Sequence, residues 1–154
     1  WLIYFYGLMD FLKEGETEEL CQRLAWNDRL RKKVREGKLQ ADQVLLQIFS
    51  WINTDRHPKR SEIYDVLDPL SIESKLFMMA KTTQVATRRH ISLYFTQLKD
   101  TKPLLRGADL IQMGMKSGPS IKKVLTDLLK ARLDEQVVTR QDEMDYLSKA
   151  QEME

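Results

Sequence analysis

Lysine side chains gather around one predicted turn of the chain. Lys116 precedes the pair Gly118 and Pro119, and Lys122 and Lys123 follow it. Proline suits the first turn of a helix, where its missing N–H costs nothing, and the free N–H groups at such a helix start can hold a phosphate. The pattern therefore predicts a turn that binds nucleic-acid backbone without reading bases. It is also compatible with a well-formed turn between two core helices.

Residues suited to other chemistry are few. The histidines His57 and His90 lack a partner at metal-ligand spacing, and Cys21 is the single cysteine. The sequence contains no glycine-rich phosphate loop, no Gly-x-Ser-x-Gly motif and no Asp-x-Asp pair that could hold two Mg²⁺ ions. We therefore expect no catalytic residue, no metal site and no cofactor in this chain.

Basic charge is concentrated in one part of the sequence. Residues 88–132 contain ten lysines and arginines against three acidic residues, although the whole chain has a net charge of only +2. Such a block favours contact with phosphates through counterion release, and it would also suit an ordinary solvated helix surface. Arg88 and Arg89 are expected on the outer face of a helix, as a second patch for nucleic-acid backbone.

No membrane segment is expected. The apolar run Trp1–Met9 is too short to span a bilayer and has no basic leader before it. A single cysteine fits a reducing compartment, so the sequence favours a cytoplasmic protein. Because the chain does not begin with methionine, we expect it to be part of a longer protein.

Apolar residues recur at helical spacing throughout, and strong helix formers dominate the composition. The sequence predicts an all-α fold of about eight helices: residues 1–13, 18–35, 41–51, 61–67, 72–81 and 83–99, then a helix, a turn, a helix and an acidic helix. Gly37 is expected to separate two of these helices. Ser61 and Ser71 are expected to cap helices, and Thr139 with Asp142 to form a capping box.

The segment Asp100–Pro103 interrupts the helical pattern and marks the predicted domain boundary. We expect one helical region at residues 1–100 and a second, which contains the lysine-rich turn, at residues 101–154. In the second region, Gly114 is expected to end a helix in the left-handed conformation. The apolar residues expected in the core of the first region include Leu76, Val85, Ile91, Tyr94 and Leu98.

Four segments of the second half carry a more specific pattern: Lys102–Leu110, Met113–Pro119, Ala131–Asp134 and Thr139–Glu143. Their order and spacing resemble the C-terminal end of bacterial CCA-adding tRNA nucleotidyltransferases and their poly(A) polymerase relatives. That pattern reads approximately Pro-x-hydrophobic-x-Gly-x-Asp-Leu, hydrophobic-Gly-x-x-Pro-Gly-Pro, and Leu-Asp-Gly before a Thr-Arg-x-x-Glu helix. The chain departs from it at three positions: Ser117 replaces a proline, Lys122 stands where glycine is common, and Glu135 replaces the glycine after Leu-Asp.

The resemblance implies that catalysis and tRNA binding lie in different domains and that this chain lacks the catalytic one. In the family, a head carries the metal-binding carboxylates with Mg²⁺ and ATP or CTP, a neck selects the nucleotide, and a helical body and tail hold the elbow and acceptor stem of tRNA. Head and neck motifs are absent from this sequence. We therefore expect a C-terminal fragment, inactive by itself, with a body-like region at residues 1–100 and a tail-like, tRNA-binding region at residues 101–154. Its partners are the tRNA backbone and the missing head and neck of the same protein.

The matching tail motif also implies which residues contact RNA. These are Arg106, Lys116, Gly118, Ser120, Lys122 and Lys123. The choice between adding CCA, CC, A or poly(A) lies in the missing head and neck.

An alternative hypothesis, motivated by the Trp- and Met-rich apolar segments, is a helical protein-interaction module that does not bind RNA.

Overall fold

A computed structural model describes residues 1–151, apart from the side chains of residues 14, 150 and 151. The predicted all-α fold is confirmed, since the described residues form helices and no strand. A π-helical turn at Tyr94–Leu98 follows the sixth α-helix. The α-helices are α1 (Leu2–Met9), α2 (Glu14–Arg23), α3 (Asp28–Asn53), α4 (Arg60–Leu67), α5 (Ile72–Lys81), α6 (Val85–Leu93), α7 (Gly107–Gln112), α8 (Pro119–Leu133) and α9 (Arg140–Gln151).

The chain forms two compact units. The first contains residues 1–58 and 65–95, and the second contains residues 59–64 and 96–154, so the division passes through α4. The domain boundary predicted between residues 100 and 101 stays a prediction. Among the described residues, no helix is both long and apolar enough to cross a membrane.

The first unit is built on mutual contacts of α1, α3 and α5, with α6 packed on α3 and α5. The ring of Tyr6 on α1 is fully buried and meets Phe77 of α5 edge to face, with ring centroids 5.5 Å apart. The apolar stripe of α3 completes this core. It consists of Val34, Ala41, Leu45, Ile48 and Trp51.

Helix α3 continues through Gly37, so the predicted break at that residue is wrong. The apolar stripe on both sides of Gly37 keeps its helical spacing, and burial of that stripe outweighs the weak helix preference of a single glycine. The glycine has a packing role instead. A Cβ atom at residue 37 would clash with the hydroxyl of Tyr6 and come within 3.3 Å of Ser74 Oγ.

The helix predicted at residues 83–99 is α6 followed by the π-helical turn. Ile91, Tyr94 and Leu98 are buried as predicted. Val85 and Leu76 are 61% and 38% exposed, so their predicted burial is wrong. Both helices are short and bury one face, and these two residues lie off that face.

A buried ammonium group lies between α5 and the end of α6. Lys75 Nζ donates to the carbonyl of Leu70 at 2.8 Å and lies 3.2 Å from the hydroxyl of Tyr94, which donates to Asp68 at 2.9 Å. Burial lowers the pKa of Lys75, and the charge of Asp68 opposes that shift. These hydrogen bonds offset the free-energy cost of burying the charge of Lys75. Ser71 begins the same helix as predicted, accepting from Ser74 N at 3.0 Å.

Because Tyr6 packs closely against Gly37, alanine at residue 37 is expected to have an unusual effect on stability. Alanine normally strengthens a helix, but Gly37→Ala should lower the free energy of unfolding by about 1–3 kcal/mol because the new methyl overlaps Tyr6. Tyr6→Phe removes the obstructing hydroxyl and should recover most of that loss in the double variant. Urea denaturation of the four proteins measures the coupling.

Gly7→Ala is the matched control for this prediction. Gly7 lies inside α1, and a Cβ there meets nothing within 4 Å. This substitution should stabilise the chain by roughly 0.5–1 kcal/mol. If Gly37→Ala stabilises the chain by the same amount, the packing role assigned to Gly37 is refuted.

Candidate nucleic-acid interface

The turn between α7 and α8 has the geometry that its glycines predict. Gly114 has φ +93°, and its N–H donates to Ile111 O at 3.0 Å while Met115 N donates to Leu110 O at 3.0 Å. The left-handed end predicted for α7 is therefore confirmed. Gly118 caps α8 with φ +154°, a conformation open mainly to glycine, and Pro119 occupies the first helical position as predicted.

The space outside this turn is open. A Cβ atom at Gly114 or Gly118 would meet nothing within 4 Å. Lys116, Lys122 and Lys123 are exposed, and none of them forms an ion pair with a described side chain. Their charges are therefore available to a ligand that approaches the start of α8.

Two other predicted contact residues, Arg106 and Ser120, lie on the same unit as this turn. Arg106 is exposed immediately before α7. Ser120 is exposed in the first turn of α8, and its hydroxyl lies 3.5 Å from Lys116 O. Arg88 and Arg89 are exposed on α6 of the other unit, and Arg88 donates to Thr82 O at 2.8 Å. Direct RNA contact by any of these residues stays a prediction.

Asp109 links the start of α7 to α9. Its Oδ2 accepts from Arg106 N at 2.7 Å, and its Oδ1 accepts from Arg140 Nη2 at 2.7 Å. The hydrogen bond from the Arg106 amide, followed by that from the Arg140 side chain, holds the pKa of Asp109 below its usual value. The acid is thus already paired, which leaves the lysines of the turn as the unbalanced charge.

Glu143 of α9 is completely buried and ties down the chain before α7. Its carboxylate accepts from Leu104 N at 2.9 Å and from Leu105 N at 2.8 Å, and Arg132 Nη1 lies 3.4 Å away. Arg132 Nη1 also donates to Val138 O at 2.9 Å. The sequence motif contains Glu143, but the burial of this residue was not predicted. The sequence signal for that burial is the apolar residue Leu147, one turn later on the same face of α9.

The end of α8 is held by Asp134. Its two oxygens accept from Ser61 N and Ser61 Oγ, each at 2.8 Å. Ser61 is therefore not the predicted helix cap: α4 already begins at Arg60, and the serine hydroxyl is used in this longer-range bond. Glu135 follows with φ +59° and pairs with Arg60.

The predicted capping box at the start of α9 is confirmed. Thr139 Oγ1 accepts from Asp142 N at 3.1 Å, and Thr139 N donates to Asp142 Oδ2 at 2.7 Å. Hydrogen bonds from the amides of Thr139 and Val138 lower the pKa of Asp142. Within the described residues, no group of three His, Cys, Asp or Glu side chains is placed to hold a metal ion.

Comparison with known proteins adds an independent observation. The chain is 35% identical over 144 residues to an A-adding tRNA nucleotidyltransferase of Geobacter sulfurreducens. The chain is related to the tRNA nucleotidyltransferases. The match covers 94% of this chain but only 16% of that relative's length. No family profile and no solved structure matches the chain.

Several residues that carry the tRNA nucleotidyltransferase resemblance form hydrogen bonds within the second unit, although Arg140 and most of residues 113–119 are exposed. Asp109, Arg140 and Glu143 bond to one another's segments, and Asp134 bonds to Ser61. The motif therefore maintains the arrangement of α7, α8 and α9. The exposed lysines lie on the outside of that arrangement.

The lowered pKa of Asp109 predicts acid sensitivity of this arrangement. Because folding favours the ionised Asp109 carboxylate, its contribution to the free energy of unfolding is fully present above the unfolded pKa of about 3.9. That contribution is lost as the pH falls through the lower pKa of the folded state. Asp109→Asn should therefore be less stable than the parent chain near neutral pH, and the difference should shrink below pH of about 4. Urea denaturation of both proteins across this range tests it, and a difference independent of pH would contradict it.

The left-handed conformation of Glu135 predicts that the family's glycine fits better. A non-glycine residue in this conformation costs about 1–2 kcal/mol, whereas the exposed pair with Arg60 contributes less than about 1 kcal/mol. Glu135→Gly should therefore raise the free energy of unfolding by roughly 0.5–1 kcal/mol. Glu135→Ala loses the same carboxylate but keeps the strain, so it should not stabilise. Equal losses in both variants would show that the ion pair outweighs the strain.

Proposed function

We propose that this chain is the RNA-holding part of a tRNA nucleotidyltransferase. It binds the backbone of tRNA and thereby sets where the 3′ end falls in a catalytic region elsewhere in a longer protein. The observation that carries this proposal is the set of three exposed lysines around the Gly118 turn, none of which forms an ion pair with a described side chain. The tRNA in the relative's name supports the choice of ligand.

The proposed contact is electrostatic and shape-based. Duplex RNA presents phosphates and 2′-hydroxyls more readily than base edges, so lysines on a rigid turn suit it. The N-terminal end of α8 adds a favourable dipole and free N–H groups beside Gly118. We assign phosphate contact to Lys116, Lys122 and Lys123, with Arg106, Gly118 and Ser120 completing the surface.

Other parts of the proposal follow from this role. Phosphates of the elbow and acceptor region of tRNA are the proposed target, and the cytoplasm is the proposed location. Arg88 and Arg89 form a proposed second patch on the other unit. The choice of nucleotide is assigned to the catalytic region, so this chain should hold tRNA equally well whichever nucleotide is added.

A second candidate function is supported by an exposed apolar surface on the first unit. Trp1, Tyr4, Leu8 and Phe11 are 68%, 81%, 72% and 92% exposed. Tyr4 and Leu8 lie one turn apart on α1, while Trp1 and Phe11 flank that helix. This surface would suit a helical protein-interaction module that docks an apolar helix.

The proposed function predicts salt-dependent tRNA binding that needs the lysines. Each phosphate contact contributes about 0.7–0.9 to the slope of log K against log salt, so Lys116→Ala/Lys122→Ala/Lys123→Ala should reduce that slope by about 2–3 and weaken binding. Fluorescence anisotropy with full-length tRNA across a salt series measures both quantities.

A matched control removes three basic residues from α3: Arg29→Ala/Lys32→Ala/Lys33→Ala. These residues are exposed, so this variant loses the same charge at a different place. It should retain most of the binding. Equal weakening by both variants would show a diffuse charge effect, and no binding of the folded parent chain at low salt would favour the interaction module.

A further inference from the structure

The second unit contains a cavity of about 390 Å³ that is lined by residues of α8, α9 and the start of α4. Its volume falls in the range of small-ligand sites, ~300–1,000 Å³. Val124 and Leu147 line it and pack in the same apolar core as Leu128. Ser61 and Asp134 line it as well, and the two hydrogen bonds between them hold that part of the wall. The cavity is therefore formed by the folded framework before any ligand arrives.

Polar side chains that the fold does not use also line this cavity. The carboxylate of Asp127 on α8 forms no hydrogen bond or ion pair with a described residue, and the same holds for the hydroxyl of Tyr146 on α9. The ammonium group of Lys59, before α4, forms no ion pair with a described side chain. The cavity therefore offers a ligand an acceptor, a hydroxyl and a positive charge.

Asp127 lies beside the lysine surface of the proposed function. It follows Lys123 by four residues in α8, so the two side chains share a helix face. One helical turn, about 5.4 Å, separates them along the axis. No ion pair joins them, although this spacing allows one, so both groups are available to a ligand.

This order of charges matches the order of groups along an RNA strand. A carboxylate repels phosphates, but it accepts hydrogen bonds, and the 2′-hydroxyl of each ribose is a donor that lies close to the phosphates. A phosphate at Lys123 and a sugar at Asp127 would belong to the same or to adjacent nucleotides. An acid at the edge of a phosphate-binding surface is thus explained by a ribose contact.

We propose that a ribose of the bound RNA enters this cavity and donates its 2′-hydroxyl to the carboxylate of Asp127, while Lys123 holds a neighbouring phosphate. This inference rests on the proposed function and makes it more specific. It gives the chain a means of distinguishing RNA from DNA, which lacks that hydroxyl.

The test compares ordinary full-length tRNA with tRNA of the same sequence made from 2′-fluoro nucleotides. The fluorine keeps the A-form sugar conformation but cannot donate a hydrogen bond. The parent chain should bind the 2′-fluoro tRNA about five- to tenfold more weakly, because a bond to a charged acceptor is lost. In Asp127→Ala the two Kd values, measured by fluorescence anisotropy, should become nearly equal. Their ratio cancels the effect of the removed charge, since repulsion of phosphates acts on both RNAs.

Asp145→Ala is the matched control. Asp145 is also an exposed aspartate on a helix of the same unit, but it does not line the cavity. This variant should keep the parent's ratio of Kd values. Because alanine favours a helix, both variants should fold, and thermal unfolding checks this.

The outcomes separate this inference from the proposed function. If the parent chain binds both RNAs equally well, or if Asp127→Ala leaves the ratio unchanged, the ribose contact is wrong and the backbone grip stands. A ratio that falls equally in Asp145→Ala also overturns the ribose contact. Failure of the folded parent chain to bind ordinary tRNA overturns both.

Discussion

The carboxylate of Glu143 is the interaction on which the second unit depends. It lies on α9, is fully buried, and accepts from two consecutive backbone amides of the segment before α7. A guanidinium from α8 approaches the same group. Helix α8, helix α9 and the segment before α7 therefore meet at the carboxylate of Glu143. A buried carboxylate is tolerated when its oxygens are bonded in this way, and loss of a partner leaves the others unsatisfied.

Around that charge, the polar residues of the second unit divide into two groups. Asp109, Asp134, Arg140 and Glu143 are bonded inside the unit and determine how α7, α8 and α9 are held. The lysines near Gly118 take no part in those bonds and remain exposed. In this chain the charged residues that carry the tRNA nucleotidyltransferase resemblance therefore hold the framework, and the lysines outside those bonds provide the exposed positive charge.

The three departures from the family pattern fit the same division. Ser117 and Lys122 are both exposed, and the turn keeps its geometry with them in place. Glu135 takes the left-handed conformation that a glycine would accept more easily. The first two changes therefore affect the surface, and the third places a left-handed residue at the end of α8 that also pairs with Arg60.

Features that depend on neighbours a few residues apart could be predicted from the sequence. The Ser71 cap, the Thr139 and Asp142 box, and the Gly114 turn were predicted correctly, because each is a short-range interaction. The bounds of the first helices were not, since the predicted helix at residues 18–35 is the end of α2 and the start of α3. The exposed positions of the lysines followed from the same local patterns, and RNA as their ligand was suggested by the lysine-rich turn together with the resemblance.

Only the tertiary structure decided which residues meet across long stretches of chain. Asp109 and Arg140 are 31 residues apart, and Ser61 and Asp134 are 73 apart, so no local pattern could pair them. The continuation of α3 through Gly37 and the exposure of Val85 also depend on what packs alongside. At Gly37 and Ser61 a distant contact outweighed the local preference, since burial and a satisfied polar group are worth more than the propensity of one residue.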